Sequence, residues 1–155
     1  MSFPGLFCNL SLGKFDERFT LMETITLHSD IQTLTVKAAV FPEGIKAAFD
    51  VLHGIFPSES RRFFGISFPG KDGKIIYMAA AEVLSPTEID ETGLDTFTIR
   101  KGDYICEKIN NWKEDESQVK NIFEKLLAQP GIDPNGYCVE EYLDDKDMIA
   151  MVTLK

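Results

Sequence analysis

Two stretches of this chain carry the same apolar stripe. Ile45, Phe49 and Leu52 recur as Val119, Phe123 and Leu126, each pair 74 residues apart. Spacings of three and four put such side chains on one helix face. Each stripe leads into a pair of strand-like runs joined by a turn. In the first copy these are Phe63–Phe68, the turn Pro69-Gly70-Lys71-Asp72-Gly73, and Lys74–Leu84. In the second they are Tyr137–Leu143, the turn Asp144–Asp147, and Met148–Leu154. A β-branched run also precedes each helix, at Thr33–Phe41 and at Leu94–Ile99 with Tyr104–Ile109. The pattern is a duplicated strand–helix–strand–strand unit. Neither copy can bury a helix stripe and a sheet face alone. The expected fold is therefore α+β, with two pseudo-symmetric repeats forming an antiparallel sheet and both helices on one face.

The 155 residues suit a single domain, with 1–32 as an N-terminal edge segment, 33–84 as the first repeat and 94–155 as the second. Loose alternation from Leu6 to Leu27 suggests one or two strands covering a sheet edge. Ser85–Gly93 reads as a polar connector, and Asp115 with Gln118 three residues later reads as a helix N-cap.

Charge and motifs remove several function classes. The formal net charge is −9. Nucleic acids need a basic surface to displace counterions, so direct nucleic-acid binding is not expected, whereas an acidic field draws cations. No apolar run approaches the roughly 20 residues of a membrane helix. The N-terminus lacks the basic start and apolar stretch of a signal peptide, so a cytoplasmic protein is expected. Cys8, Cys106 and Cys138 are widely spaced, with no Cys-x-x-Cys pair, and are expected to be reduced. His28 and His53 are too isolated for zinc, and no nucleotide fingerprint is present. No cofactor or metal is expected.

The most informative residue is Glu140. A 74-residue offset aligns it with Ile66, in a strand whose Phe64, Ile66 and Phe68 share one face. By alternation, Glu140 and Tyr142 share a face and Glu141 takes the other. A carboxylate in an aromatic setting costs several kcal/mol to desolvate, and a cationic ligand would offset that cost. Phe64, Phe68, Tyr77, Tyr104, Trp112 and Tyr142 are the candidate ring suppliers. The alternative is a solvated glutamate near a strand end.

Two segments carry a family resemblance. Leu94–Tyr104, with its closing Gly102-Asp103-Tyr104, resembles the opening of the second repeat of GyrI-like domains, also called AraC-type effector-binding domains. Cys138-Val139-Glu140-Glu141-Tyr142 before an acidic turn resembles their closing Glu-x-Tyr strand. The resemblance implies two strand–helix–strand–strand repeats and a cleft at their junction for bulky, often cationic aromatic compounds. It implies that Glu140 meets the ligand's positive charge, with Tyr142 as the matching tyrosine. The function expected is thus a stand-alone multidrug-type binding protein. Two alternatives come with the resemblance. One is a hydrolase of cyclopropane-containing DNA-alkylating natural products, using Glu140 and Tyr142 with Glu107 in reserve. The other is a protein-interaction module that inhibits gyrase. A homodimer is left open.

Overall fold

The computed structural model describes residues 22–56 and 61–155. In chain order the elements are β1 (Glu23–Leu27), β2 (Ile31–Lys37), α1 (Ile45–Ile55), β3 (Phe63–Pro69), β4 (Ile75–Glu82), α2 (Thr87–Thr92), β5 (Asp95–Ile99), β6 (Gly102–Ile109), α3 (Ser117–Leu127), β7 (Cys138–Tyr142) and β8 (Met148–Thr153). The fold is α+β, and the strand pairings within each unit are antiparallel. The part of the expected edge segment before Met22, Cys8 included, lies outside the described residues, as do residues 57–60. Among the described residues no helix is long and apolar enough to cross a membrane.

The chain divides into two compact units, Asp30–Arg100 and Met1–Ser29 with Lys101–Lys155. In the first, β4 pairs with β3 and β2, and β2 also pairs with β5. The stripe of α1 packs Ala48 and Leu52, with Ile45 and Phe49 partly buried, against Leu34, Tyr77, Ala79 and Ala81. Burying Leu52 fully contributes roughly 1.5–3 kcal/mol. The segment 95–99, expected to open the second repeat, instead pairs with β2 in this unit. The connector after β4 contains α2. It has no buried residue and so no apolar stripe to betray it, and Gly93 ends it in the left-handed region at φ 69°.

In the second unit, β6 pairs with β1 and β8, and β8 pairs with β7. Ile122 and Leu126 of α3 pack against Ile109, Met148, Ala150 and Val152. The Asp115 side chain does not cap this helix. Its carboxylate accepts the Ser117 hydroxyl at 2.5 Å instead. Cys106 is disulfide-bonded, contrary to the reduced thiols expected. A pairing made in three dimensions leaves no mark in sequence spacing.

The repeat is real, but its offset is not uniform. Buried Ala48 and Leu52 of α1 correspond to Ile122 and Leu126 of α3 at 74 residues. A 74-residue offset would carry the pair Ile66↔Met78 to Glu140 and Val152, yet Glu140 faces Ala150. An offset of 73 carries Gly65↔Ala79 onto Cys138↔Val152 and Ser67↔Tyr77 onto Glu140↔Ala150. A slip of one residue moves every strand side chain to the other face. The counterpart of Glu140 is therefore Ser67, not Ile66, and Glu140 does not share the face type of Phe64, Ile66 and Phe68.

Candidate functional site: a carboxylate among aromatic rings

Strand β7 alternates strictly, with Val139 and Glu141 buried and Cys138, Glu140 and Tyr142 partly exposed. Cys138 and Tyr142 pack with the core beneath α3, so Glu140 between them faces the helix side. Glu141 lies on the opposite face and is 2% exposed. Three rows cross β6, β8 and β7 on the helix side. They are Ile105–Val152–Cys138, Glu107–Ala150–Glu140 and Ile109–Met148–Tyr142.

Glu140 is held by its neighbour two residues along the strand. The Tyr142 hydroxyl donates to Glu140 Oε1 at 2.6 Å, the length of a charge-assisted bond. Tyr142 in turn meets the Trp112 ring at a centroid distance of 5.4 Å and a tilt of 58°. Trp112 opens a single 3-10 turn, Trp112–Glu114, after Asn111, whose φ is 53°. The acidic turn anchors that position. Trp112 N–H donates to the Lys146 carbonyl at 3.0 Å, and Asn111 N–H donates to Asp147 Oδ1 at 3.1 Å. Asp144 accepts the N–H groups of Lys146 and Asp147, which holds its carboxyl below the usual range. Lys113 Nζ lies 5.6 Å from the Trp112 ring centroid, so this indole face already attracts an ammonium group. The indole Nε1–H is buried and meets no acceptor among the described residues.

Of the residues singled out in the sequence, the fold brings Glu140, Tyr142 and Trp112 together. Tyr104 lies elsewhere in the same unit. Its hydroxyl meets that of Tyr137 at 2.8 Å, and its strand neighbours place it on the face opposite Glu107 and Glu140. Phe64, Phe68 and Tyr77 belong to the other unit, and there they divide between two faces. Phe68 stacks near Phe97 at 6.3 Å. Tyr77 sits on the helix side with Phe41 at 5.8 Å and Phe49 at 6.4 Å. With the one-residue slip, the counterparts of Phe64 and Phe68 are Tyr137 and Glu141 rather than Cys138 and Tyr142. Within that unit His53 also meets Phe63 at 4.6 Å.

Glu107 was held in reserve, and the structure gives it a clear position. It is 1% exposed, and Lys125 Nζ lies 2.9 Å from its Oε1. The contact is an ion pair without aligned hydrogen-bond geometry, because both buried carboxylate oxygens lack a hydrogen-bond donor among the described residues. No group of His, Cys, Asp and Glu among the described residues is arranged to hold a metal ion. A cavity of about 430 Å³ opens in the other unit, between Lys37–Phe41 and the β3–β4 turn. Lys37, Lys71 and Lys74 line it against Asp72 alone, a charge balance that disfavours cations.

No protein-family model matches the chain, and no curated protein matches it. Solved structures do. An integron cassette protein from the mobile metagenome of Vibrio cholerae is similar at TM-score 0.65 and 11% identity, covering 86% of this chain and 95% of that one. The protein SAV2435, solved bound to tetraphenylphosphonium, is similar at TM-score 0.65 and 13% identity, covering 86% and 93%. A hydrolase from Listeria innocua is similar at TM-score 0.52 and 9% identity, covering 86% and 91%. The chain shares a fold with these proteins, and one of them holds an aromatic cation.

Proposed function

We propose that this chain binds bulky aromatic cations, with Glu140 as the charge-complementing residue and Tyr142 and Trp112 as its ring partners. The observation that carries the reading is the 2.6 Å bond from the Tyr142 hydroxyl to a partly buried Glu140, beside an indole. The phenol fixes the carboxylate without removing its charge. Partial burial raises the local interaction strength, while partial exposure leaves room for a ligand. Each ring face adds about 0.5–2 kcal/mol to a cation placed over it. Glu141 is the poorer candidate because it is already enclosed on the other face. The likeness to a fold that takes tetraphenylphosphonium in SAV2435 supports the same ligand class, as does the resemblance to GyrI-like effector-binding domains. Fluorescence anisotropy with a cationic rhodamine dye tests it. Tetraphenylphosphonium should displace the dye, and a neutral triphenyl compound of similar size should displace it at least tenfold less well. Equal displacement by both would remove the role of charge.

A hydrolytic reading uses the same pair, with Glu140 positioning water and Tyr142 donating a proton. The likeness to a Listeria hydrolase favours keeping it. Incubation with a cyclopropane-containing alkylating natural product, followed by mass spectrometry, should then show a water adduct. Recovery of unchanged compound leaves binding as the function.

A further inference from the structure

The cavity of about 430 Å³ in the unit Asp30–Arg100 differs in character from the rest of the chain. The net charge is −9, yet Lys37 at the end of β2 and Lys71 and Lys74 in the β3–β4 turn all line this space. None of the three is in an ion pair among the described residues. Against them stand Asp72 in the lining and Glu43 on the same loop, and Asp72 Oδ1 already accepts the Lys74 N–H at 2.9 Å. The other lining is apolar and open to solvent, with Val40 57%, Phe41 43% and Ile75 42% exposed. The Phe41 ring is backed by Tyr77 at 5.8 Å, which fixes that wall. The repeat supplies an internal comparison. The 73-residue offset of the hairpins carries Lys71-Asp72-Gly73-Lys74 onto Asp144-Asp145-Lys146-Asp147, a turn of opposite charge. There the turn is bonded to the loop after β6, by Trp112 N–H to the Lys146 carbonyl and Asn111 N–H to Asp147 Oδ1. In the first copy no hydrogen bond among the described residues joins residues 39–43 to the turn 70–74, and the space between them is the cavity.

We propose that this cavity binds an organic anion with an apolar body, its head group held by Lys37, Lys71 and Lys74 and its body lying on Val40, Phe41 and Ile75. The volume is that of a small-molecule site. Lysine is a point charge on a flexible stem, so three of them can converge on a carboxylate or sulfonate without demanding one geometry. Apolar contact with the three exposed side chains removes them from water and supplies the rest of the affinity. The site takes the opposite charge class from Glu140 and does not depend on that assignment.

Fluorescence titration with two dyes reads both halves of the site. One is 8-anilinonaphthalene-1-sulfonate. The other is N-phenyl-1-naphthylamine, which has the same rings without the sulfonate. The sulfonate dye should saturate at one molecule per chain. In the double variant Lys71→Gln, Lys74→Gln its affinity should fall about tenfold, while the neutral dye stays within about twofold of wild type. Val40→Ser should weaken both dyes severalfold. Should the variants fold poorly, wild type alone carries the test. Raising salt from about 20 mM to about 500 mM should weaken the sulfonate dye severalfold and leave the neutral dye no weaker. Unchanged sulfonate affinity in the double lysine variant, equal losses of both dyes in it, or unchanged affinity of both in Val40→Ser overturns the proposal. Sedimentation of the protein with phosphatidylglycerol vesicles, without saturable binding of the sulfonate dye, would make the patch a membrane contact and overturn it too.

Discussion

Removing the carboxylate of Glu88 should cost stability in a pH-dependent way, and the structure gives the size. Arg61 Nη1 and Nη2 donate to the two oxygens of Glu88 at 3.1 and 2.8 Å. The Leu84 and Ser85 N–H groups add bonds at 2.9 and 3.4 Å. The side chains of Arg61 and Glu88 are only 11% and 16% exposed, and the guanidinium sits 4.1 Å over the Phe56 ring. The hydrogen bond from Arg61, ahead of the backbone donors, lowers the Glu88 pKa to about 2 from 4.5. A depressed carboxylate stabilises the fold fully above its unfolded pKa and loses that contribution as pH falls toward the folded value. The window here runs from 4.5 down to about 2. At about 1.4 kcal/mol per unit, the full effect is roughly 3 kcal/mol, and about 2 kcal/mol of it is gone by about pH 3. Urea unfolding of wild type and Glu88→Gln at neutral pH and near pH 3 measures it. The stability difference between the two proteins should shrink by about 2 kcal/mol on acidification. A difference that stays constant would refute the linkage argument, whatever its size at neutral pH.

Leu126→Ala, at a fully buried position under α3, should cost about 2–5 kcal/mol in the same assay, while Leu127→Ala, 49% exposed, should stay within about 0.5 kcal/mol. A Cβ on Gly136 would fall 1.7 Å from Thr153 Oγ1, so Gly136→Ala should destabilise by about 1–3 kcal/mol and disturb the Tyr137 N–H bond to that hydroxyl. Tyr142→Phe, which removes the donor to Glu140, should weaken tetraphenylphosphonium binding severalfold by calorimetry with little change in melting temperature. Trp112→Ala should likewise lower affinity by roughly tenfold, reading the cation–π share.

Helices α1 and α3 were legible because each buries a stripe with a 3.6-residue period, as Ala48 and Leu52 and again Ile122 and Leu126 do, whereas α2 buries no residue and was not. The two hairpins were legible from their turns. Their phase relative to the helices was not. Met148–Thr153 is buried on both faces, so β8 shows no alternation from which to read its register. Phe63 and Phe64 are adjacent aromatics that point to opposite faces, so β3 is equally silent. The one-residue slip between helix and hairpin followed, and with it the misplaced pairing of Glu140 with Ile66. Strand alternation within β7 depends on no such alignment. It correctly separated Glu140 from Glu141 and joined Glu140 to Tyr142. The burial and ion pair of Glu107 carried no local signal, because its partner Lys125 comes from α3, in a separate segment of the chain.

The most direct measurement is the dissociation constant of tetraphenylphosphonium for wild type, Glu140→Gln and Glu141→Gln at one ionic strength. The account predicts saturable binding to wild type, at least tenfold weaker binding to a folded Glu140→Gln, and a much smaller effect in Glu141→Gln. Equal affinities for wild type and a folded Glu140→Gln would contradict it.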